Sequence, residues 1–155
     1  MSATEAMGVE GGAAMTATVA LDVEVRSPIE RVWQALTDSA TLSKWTLFKT
    51  NDFEPVVGHR FQFRADPAPG WNGVIDCEVL EVEKPHRLTY TWVGGPQEMA
   101  VETTVVWTLT RAEQGVTRLH LEHSGFDPAF KQAIGGARWG WTKMLEQLQG
   151  LLASD

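Results

Sequence analysis

The stretch Gly140-Trp141-Thr142-Lys143-Met144-Leu145-Glu146-Gln147-Leu148-Gln149-Gly150-Leu151-Leu152 decides the fold. Trp141, Met144, Leu145, Leu148 and Leu152 recur at three- and four-residue spacing, the period of one apolar helical face. Such a stripe needs something to press on. Upstream run alternating, strand-like segments that end in His123-Ser124-Gly125-Phe126, so the expected counterpart is the concave face of an antiparallel sheet. A sheet gripping a long terminal helix encloses space, and a binding pocket is expected there.

Working outward, Leu119, Leu121 and His123 alternate with Arg118, His120 and Glu122, and Gly125 is expected to end the sheet. Asp127-Pro128 should cap a first helical segment. Gly135, Gly136 and Gly140 each weaken a helix by about 1 kcal/mol, which predicts a break or bend before the main helix begins near Ala137. Upstream, Val101, Thr103, Val105, Trp107 and Leu109 form one strand with Val106 outward, and Leu88, Tyr90 and Trp92 another. Gly94-Gly95-Pro96 and Glu113-Gln114-Gly115 supply turns. Trp71 to Glu83 reads as a long strand with a bulge at Val79-Leu80, where two apolar neighbours break the alternation. Phe61 and Phe63 mark a further strand before the Pro67-Ala68-Pro69-Gly70 loop.

At the other end, Val19, Leu21, Val23 and Val25 alternate with polar or small residues. Ser27-Pro28 then opens a helix, with Ser27 as cap, Pro28 in the first turn and Glu30 at capping-box spacing. A second short helix follows from Asp38 to Trp45, with Leu42 and Trp45 inward. The fold class is therefore α+β. About six to seven antiparallel strands curve around a long C-terminal helix, with two short helices after the first strand. Residues 1–16, rich in Gly, Ala and small polar groups, read as a disordered tail, and residues 17–155 as a single domain.

The 155 residues suffice to bury a core without disulfides or a structural metal. A net charge of −7 argues against nucleic acid as a partner, and no apolar run approaches the roughly 20 residues that span a bilayer. The single cysteine, Cys77, cannot close an intramolecular bridge, and no signal peptide is evident, so the cytoplasm is the expected location. Seven tryptophans suit both a core and the lining of an organic ligand site.

Val23-Glu24-Val25, Ser27-Pro28-Ile29-Glu30-Arg31-Val32-Trp33, Trp45, Gly58-His59-Arg60-Phe61, Glu78-Val79-Leu80-Glu81-Val82, Pro85-His86-Arg87-Leu88 and Tyr90-Thr91-Trp92 follow one another in an order that resembles bacterial proteins of the SRPBCC superfamily. With Thr117-Arg118-Leu119, His123-Ser124-Gly125-Phe126 and Gly140-Trp141, they are similar to the branch named for the activator of heat-shock protein 90 ATPase homologue. The resemblance spans about Thr18 to Leu152. It implies a helix-grip fold, as in START domains and the birch pollen allergen, with a cavity between sheet and C-terminal helix. Across that superfamily the cavity serves lipid transfer, hormone binding, polyketide cyclisation and hydrolysis, so the fold alone selects none of these.

The residues expected to line the cavity are Trp45, Phe63, Tyr90, Trp92, Trp107, His123, Phe126, Trp141 and Leu145, chosen because their strand or helix phase points inward; Phe61 shares that phase. Tyr90 and His123 carry polar tips among apolar neighbours, which is what orients a small molecule. The blander alternative is that the rings fill the core and His123 is satisfied by a neighbour such as Ser124. No metal or cofactor is expected, since the histidines lack a ligand pattern and His120 and His123 point to opposite faces. Cys77 and Ser124 lack the setting of a nucleophile. Asp76, Glu78 or Glu102 would face His123 only if a bulge shifted the register. The leading expectation is a non-enzymatic protein binding a small apolar or aromatic molecule. A cyclase or hydrolase using the same cavity, and a chaperone-interacting module, are the alternatives; a homodimer stays open.

Overall fold

The computed structural model describes residues 16–94 and 102–153. The expected tail up to Met15, the turn at Gly95-Pro96 and the strand start at Val101 lie outside them. Seven strands form one antiparallel sheet: β1 (Ala17–Val25), β2 (Thr50–Asn51), β3 (Arg60–Arg64), β4 (Val74–Glu83), β5 (Arg87–Val93), β6 (Glu102–Glu113) and β7 (Val116–Phe126). Their order is β1-β7-β6-β5-β4-β3-β2, so β2 to β7 run as a meander and β1 pairs with the last strand. Helices α1 (Ile29–Thr37) and α2 (Ser39–Trp45) follow β1, and α3 (Lys131–Ala153) closes the chain.

Alternation sets the faces. Along β6, Thr103, Val105, Trp107 and Leu109 are buried, while Thr104, Val106 and Thr108 are only half-buried. Along β7, Thr117, Leu119, Leu121 and His123 turn inward. The anticipated irregularity in β4 is present. Its register against β5 shifts between Val79 and Glu81, leaving Leu80 on the outside.

Three local expectations are corrected. Ser27 does not cap α1: Pro28 occupies the capping position, no side chain caps the helix, and Glu30 reaches Arg111 instead, at 2.8 Å. Pro28 in extended geometry moves the helix start one residue on, and Ser27 is drawn into a buried turn where its carbonyl accepts the Thr117 hydroxyl at 2.7 Å. Gly125 does not end the sheet, because β7 continues to Phe126 with Gly125 at φ 99°, a conformation that favours glycine. The third concerns α3, which runs unbroken through Gly135, Gly136 and Gly140 for 23 residues.

Three glycines weaken α3 by about 3 kcal/mol together. Burial of Trp141, Met144, Leu145, Leu148 and Leu152 each contributes roughly 1.5–3 kcal/mol, and half-buried Ile134 and Ala137 extend the same face N-terminally. The apolar stripe outweighs the propensity. Two amides then fix the helix in place. Gln147 Nε2 donates to the Trp45 carbonyl at 2.8 Å, and Gln149 Nε2 to that of Glu24 at 2.9 Å.

Candidate functional site

The inner face of the sheet presents an aromatic cluster to α3. Trp107 on β6 lies between Trp45 of α2 and Trp141 of α3, with ring centroids 6.1 and 5.4 Å away. Trp141 meets Trp92 of β5 at 5.2 Å, and Trp92 meets His123 at 5.4 Å and Phe63 at 5.6 Å. Phe126 packs on His123 at 4.5 Å. Tyr90 is ringed by Phe53, Phe61 and Phe63 at 5.5–6.4 Å. Leu145 is buried on the facing stripe of α3. The structure thus gathers all nine sequence-predicted residues into one region, where the rings rest on one another.

Apart from Trp45 Nε1–H, which donates to the Ala35 carbonyl at 2.9 Å, the buried polar tips inside this cluster are paired in two separate sets. In the first, Trp107 Nε1–H donates to Tyr90 Oη at 3.0 Å. In the second, Trp141 Nε1–H donates to His123 Nδ1 at 2.9 Å. An indole can only donate, so Nδ1 must be bare and the imidazole proton sits on Nε2. Nε2–H then donates to Thr103 Oγ1 at 2.7 Å, and the threonine hydroxyl passes its own hydrogen to the Trp92 carbonyl at 2.8 Å. This chain is complete only with a neutral histidine. Burial acts in the same direction, lowering the imidazole pKa from 6.5 to about 3.

His123 therefore ties β7 to α3 and β6 with both ring nitrogens, and Ser124 is not its partner. The carboxylates that a shifted register would have brought to it stay outside. Asp76 accepts from Gln62 Nε2 at 2.8 Å, Glu78 lies 3.6 Å from Arg60, and Glu102 is exposed. Among the described residues no carboxylate pairs with His123; both its ring nitrogens are taken by Trp141 and Thr103. Cys77 is 6% exposed, and burial, followed by the charges of Asp76 and Asp52, pushes its thiol pKa up, so the thiolate a nucleophile needs is disfavoured.

Phe48 and Phe53 belong to the cluster but carry no periodic signal, since they lie between α2 and β3. Thr103 was readable as inward but not as the bridge between His123 and the Trp92 carbonyl, because that bond joins two strands across a register only the fold reveals. Hollows also open elsewhere: one of about 570 Å³ is lined by Arg60, Phe61, Gln62, Asp76, Glu78 and Thr91, one of about 550 Å³ lies between Trp33, Pro55, Val82 and Lys84, and one of about 340 Å³ between Gln34, Thr41, Lys44 and Leu152.

Residues 26–153, from the end of β1 through α3, match a family model described as Activator of Hsp90 ATPase homolog 1-like protein. The chain belongs to that family. Protein MLL2253 from Mesorhizobium loti is 41% identical, with 89% of this chain and 98% of that one covered and a TM-score of 0.80. CalU16 from Micromonospora echinospora shares 22% identity over 87% of this chain and 74% of its own, at a TM-score of 0.69. The Aha1 dimer from Colwellia psychrerythraea shares 20% over 88% and 96%, at 0.74. A comparison with curated proteins gave no significant match. The SRPBCC helix-grip architecture is thereby established for this chain, including its Aha1-like branch. Among the described residues, no helix is long and apolar enough to cross a membrane.

Proposed function

We propose that this chain is a cytoplasmic protein that binds a small apolar or aromatic organic molecule between the inner face of the sheet and α3. Trp45, Phe63, Tyr90, Trp92, Trp107, His123, Phe126, Trp141 and Leu145 form the site. The observation that carries this reading is the position of Trp92. It belongs to the aromatic cluster, through Phe63, His123 and Trp141, yet it is only half-buried. The interior thus reaches the surface there. Nearby burial also differs: residues 131–140 of α3 are exposed or half-buried, whereas the gripped stripe begins at Trp141. A ligand gains room by displacing Trp92 and Phe126 rather than the deep rings, and His123 serves as the fixed wall.

Native mass spectrometry of the protein isolated gently from its own host tests this. A discrete added mass, lost on denaturation, is expected, and the same spectrum counts subunits. Tryptophan emission should respond to naphthalene derivatives in the wild type and lose at least half of that response in Trp92→Leu. A clean apo mass together with an unresponsive emission spectrum would overturn the reading. Stimulation of a chaperone ATPase, unchanged in Trp92→Leu, would instead place the function on the outer surface.

A further inference from the structure

Most hydrogen-bonding groups of the aromatic cluster are used up internally. Trp45 Nε1 donates to the Ala35 carbonyl at 2.9 Å, Trp107 to Tyr90, and Trp141 to His123. His123 and Thr103 complete their chain at the Trp92 carbonyl. Tyr90 is different. Its hydroxyl accepts from Trp107, and among the described residues nothing accepts its own hydrogen. Ser27 Oγ also lacks a partner, but it lies at the turn into α1, outside the cluster.

We infer that the Tyr90 hydroxyl is the hydrogen-bond donor for a bound ligand, and that the ligand is an aromatic molecule carrying a carbonyl or comparable acceptor at its inner end. The inference rests on the proposed ligand-binding reading and narrows its chemistry. A buried O–H left without an acceptor carries the cost of its lost hydration, and a ligand carbonyl removes that cost whereas a hydrocarbon does not. The acceptance from Trp107 also polarises the phenol and strengthens its donation. Discrimination should follow the asymmetry seen when a site is built around a polar group: a molecule lacking the acceptor leaves that group unpaired. A carboxylate is a poorer candidate, because among the described residues no cationic side chain belongs to the buried core.

Tyr90 is the chain's one tyrosine, so protein labelled with carbon-13 at tyrosine Cζ gives a single resonance from this site. The probes are propionyl-dimethylaminonaphthalene, a fluorescent aromatic ketone, and its propyl counterpart without the carbonyl. The ketone should bind about fivefold more tightly and move the Cζ resonance in the direction of O–H donation. The propyl compound should bind without that shift. In Tyr90→Phe the ratio of the two affinities should fall to about one. Equal affinities with an unmoved resonance would overturn the assignment of Tyr90 and leave ligand binding standing. Failure of both probes to bind would overturn the binding reading and this inference with it. Because the resonance is read in the wild type, the test survives even if Tyr90→Phe folds poorly.

Discussion

Three residues apart on β7, two histidines live under opposite physics. His120 faces out, with Asp22 Oδ1 at 2.8 Å and Glu122 Oε2 at 3.0 Å, and its bond to Glu122, then its bond to Asp22, raise its pKa. His123 faces in, 1% exposed, held neutral between an indole N–H and a threonine hydroxyl. The outer residue favours its proton; the inner one excludes it. The lesson is that in this sheet the period-two alternation determines not only burial but protonation state. The inner face is consequently a low-dielectric surface suited to neutral ligands.

The inner side can be broken most severely at Trp141. Trp141→Ala removes a ring that touches Trp92, Trp107 and His123 and should destabilise the fold by about 3–5 kcal/mol in urea unfolding. Trp141→Phe separates packing from bonding. It keeps most of the ring but leaves His123 Nδ1 without its donor, and a loss of about 1–3 kcal/mol is expected. Stability of Trp141→Phe equal to wild type would mean that the indole bond does not hold α3 to the sheet.

Much of this contrast was legible from the sequence. Alternation in β5, β6 and β7 gave the inward set, including Tyr90, Trp107 and His123, and the stripe on α3 announced its partner sheet. What failed did so for nameable reasons. A break at Gly135-Gly136 was expected from local propensity, but tertiary burial of the stripe beyond Trp141 decided the outcome. Ser27 followed by Glu30 matched a capping box, yet Pro28 took the capping position and the buried turn claimed the serine. The pairing partners of His123 lie 18 and 20 residues away, on other elements, and no periodicity encodes them. The same holds for Phe48 and Phe53, placed by a loop.

The second test uses pH. Because the native pKa of His123 is depressed to about 3 from 6.5, the unfolded chain takes up a proton that the native chain refuses. Its contribution is therefore complete above pH 6.5 and is lost progressively as pH falls toward 3, at roughly 1.4 kcal/mol per pH unit. Asp38, held low by bonds from Thr41, and Asp52, held low by the Gln62 amide, add a slope of the same sign only at more acidic pH. In urea melts at pH 7.0, 6.0 and 5.0 (about two units) His120, whose pKa is raised, adds a smaller slope of the opposite sign, so His123 is isolated by the difference between the wild type and a His123 variant. His123→Gln, which retains a donor and an acceptor but does not titrate, should flatten that slope. An unchanged slope would show that His123 is not the buried neutral group.

The smallest effect belongs to the outer face. His120, Asp22 and Glu122 have side chains 31%, 65% and 51% exposed, so water screens their attraction and no more than about 1 kcal/mol is expected from the pairing. The sign is opposite to that of His123. A raised native pKa means stabilisation that is fully present below pH 6.5 and lost as pH rises through the native value. His120→Gln should therefore destabilise slightly at pH 6 and match the wild type at pH 9, and added salt should shrink the difference at pH 6. The pairing joins β7 to β1 at the edge of the sheet, where Asp22 stands opposite His120. If His120→Gln were equally destabilising at both pH values, the residue would be acting through packing against β1 rather than through charge, and the two faces of β7 would differ less than their protonation implies.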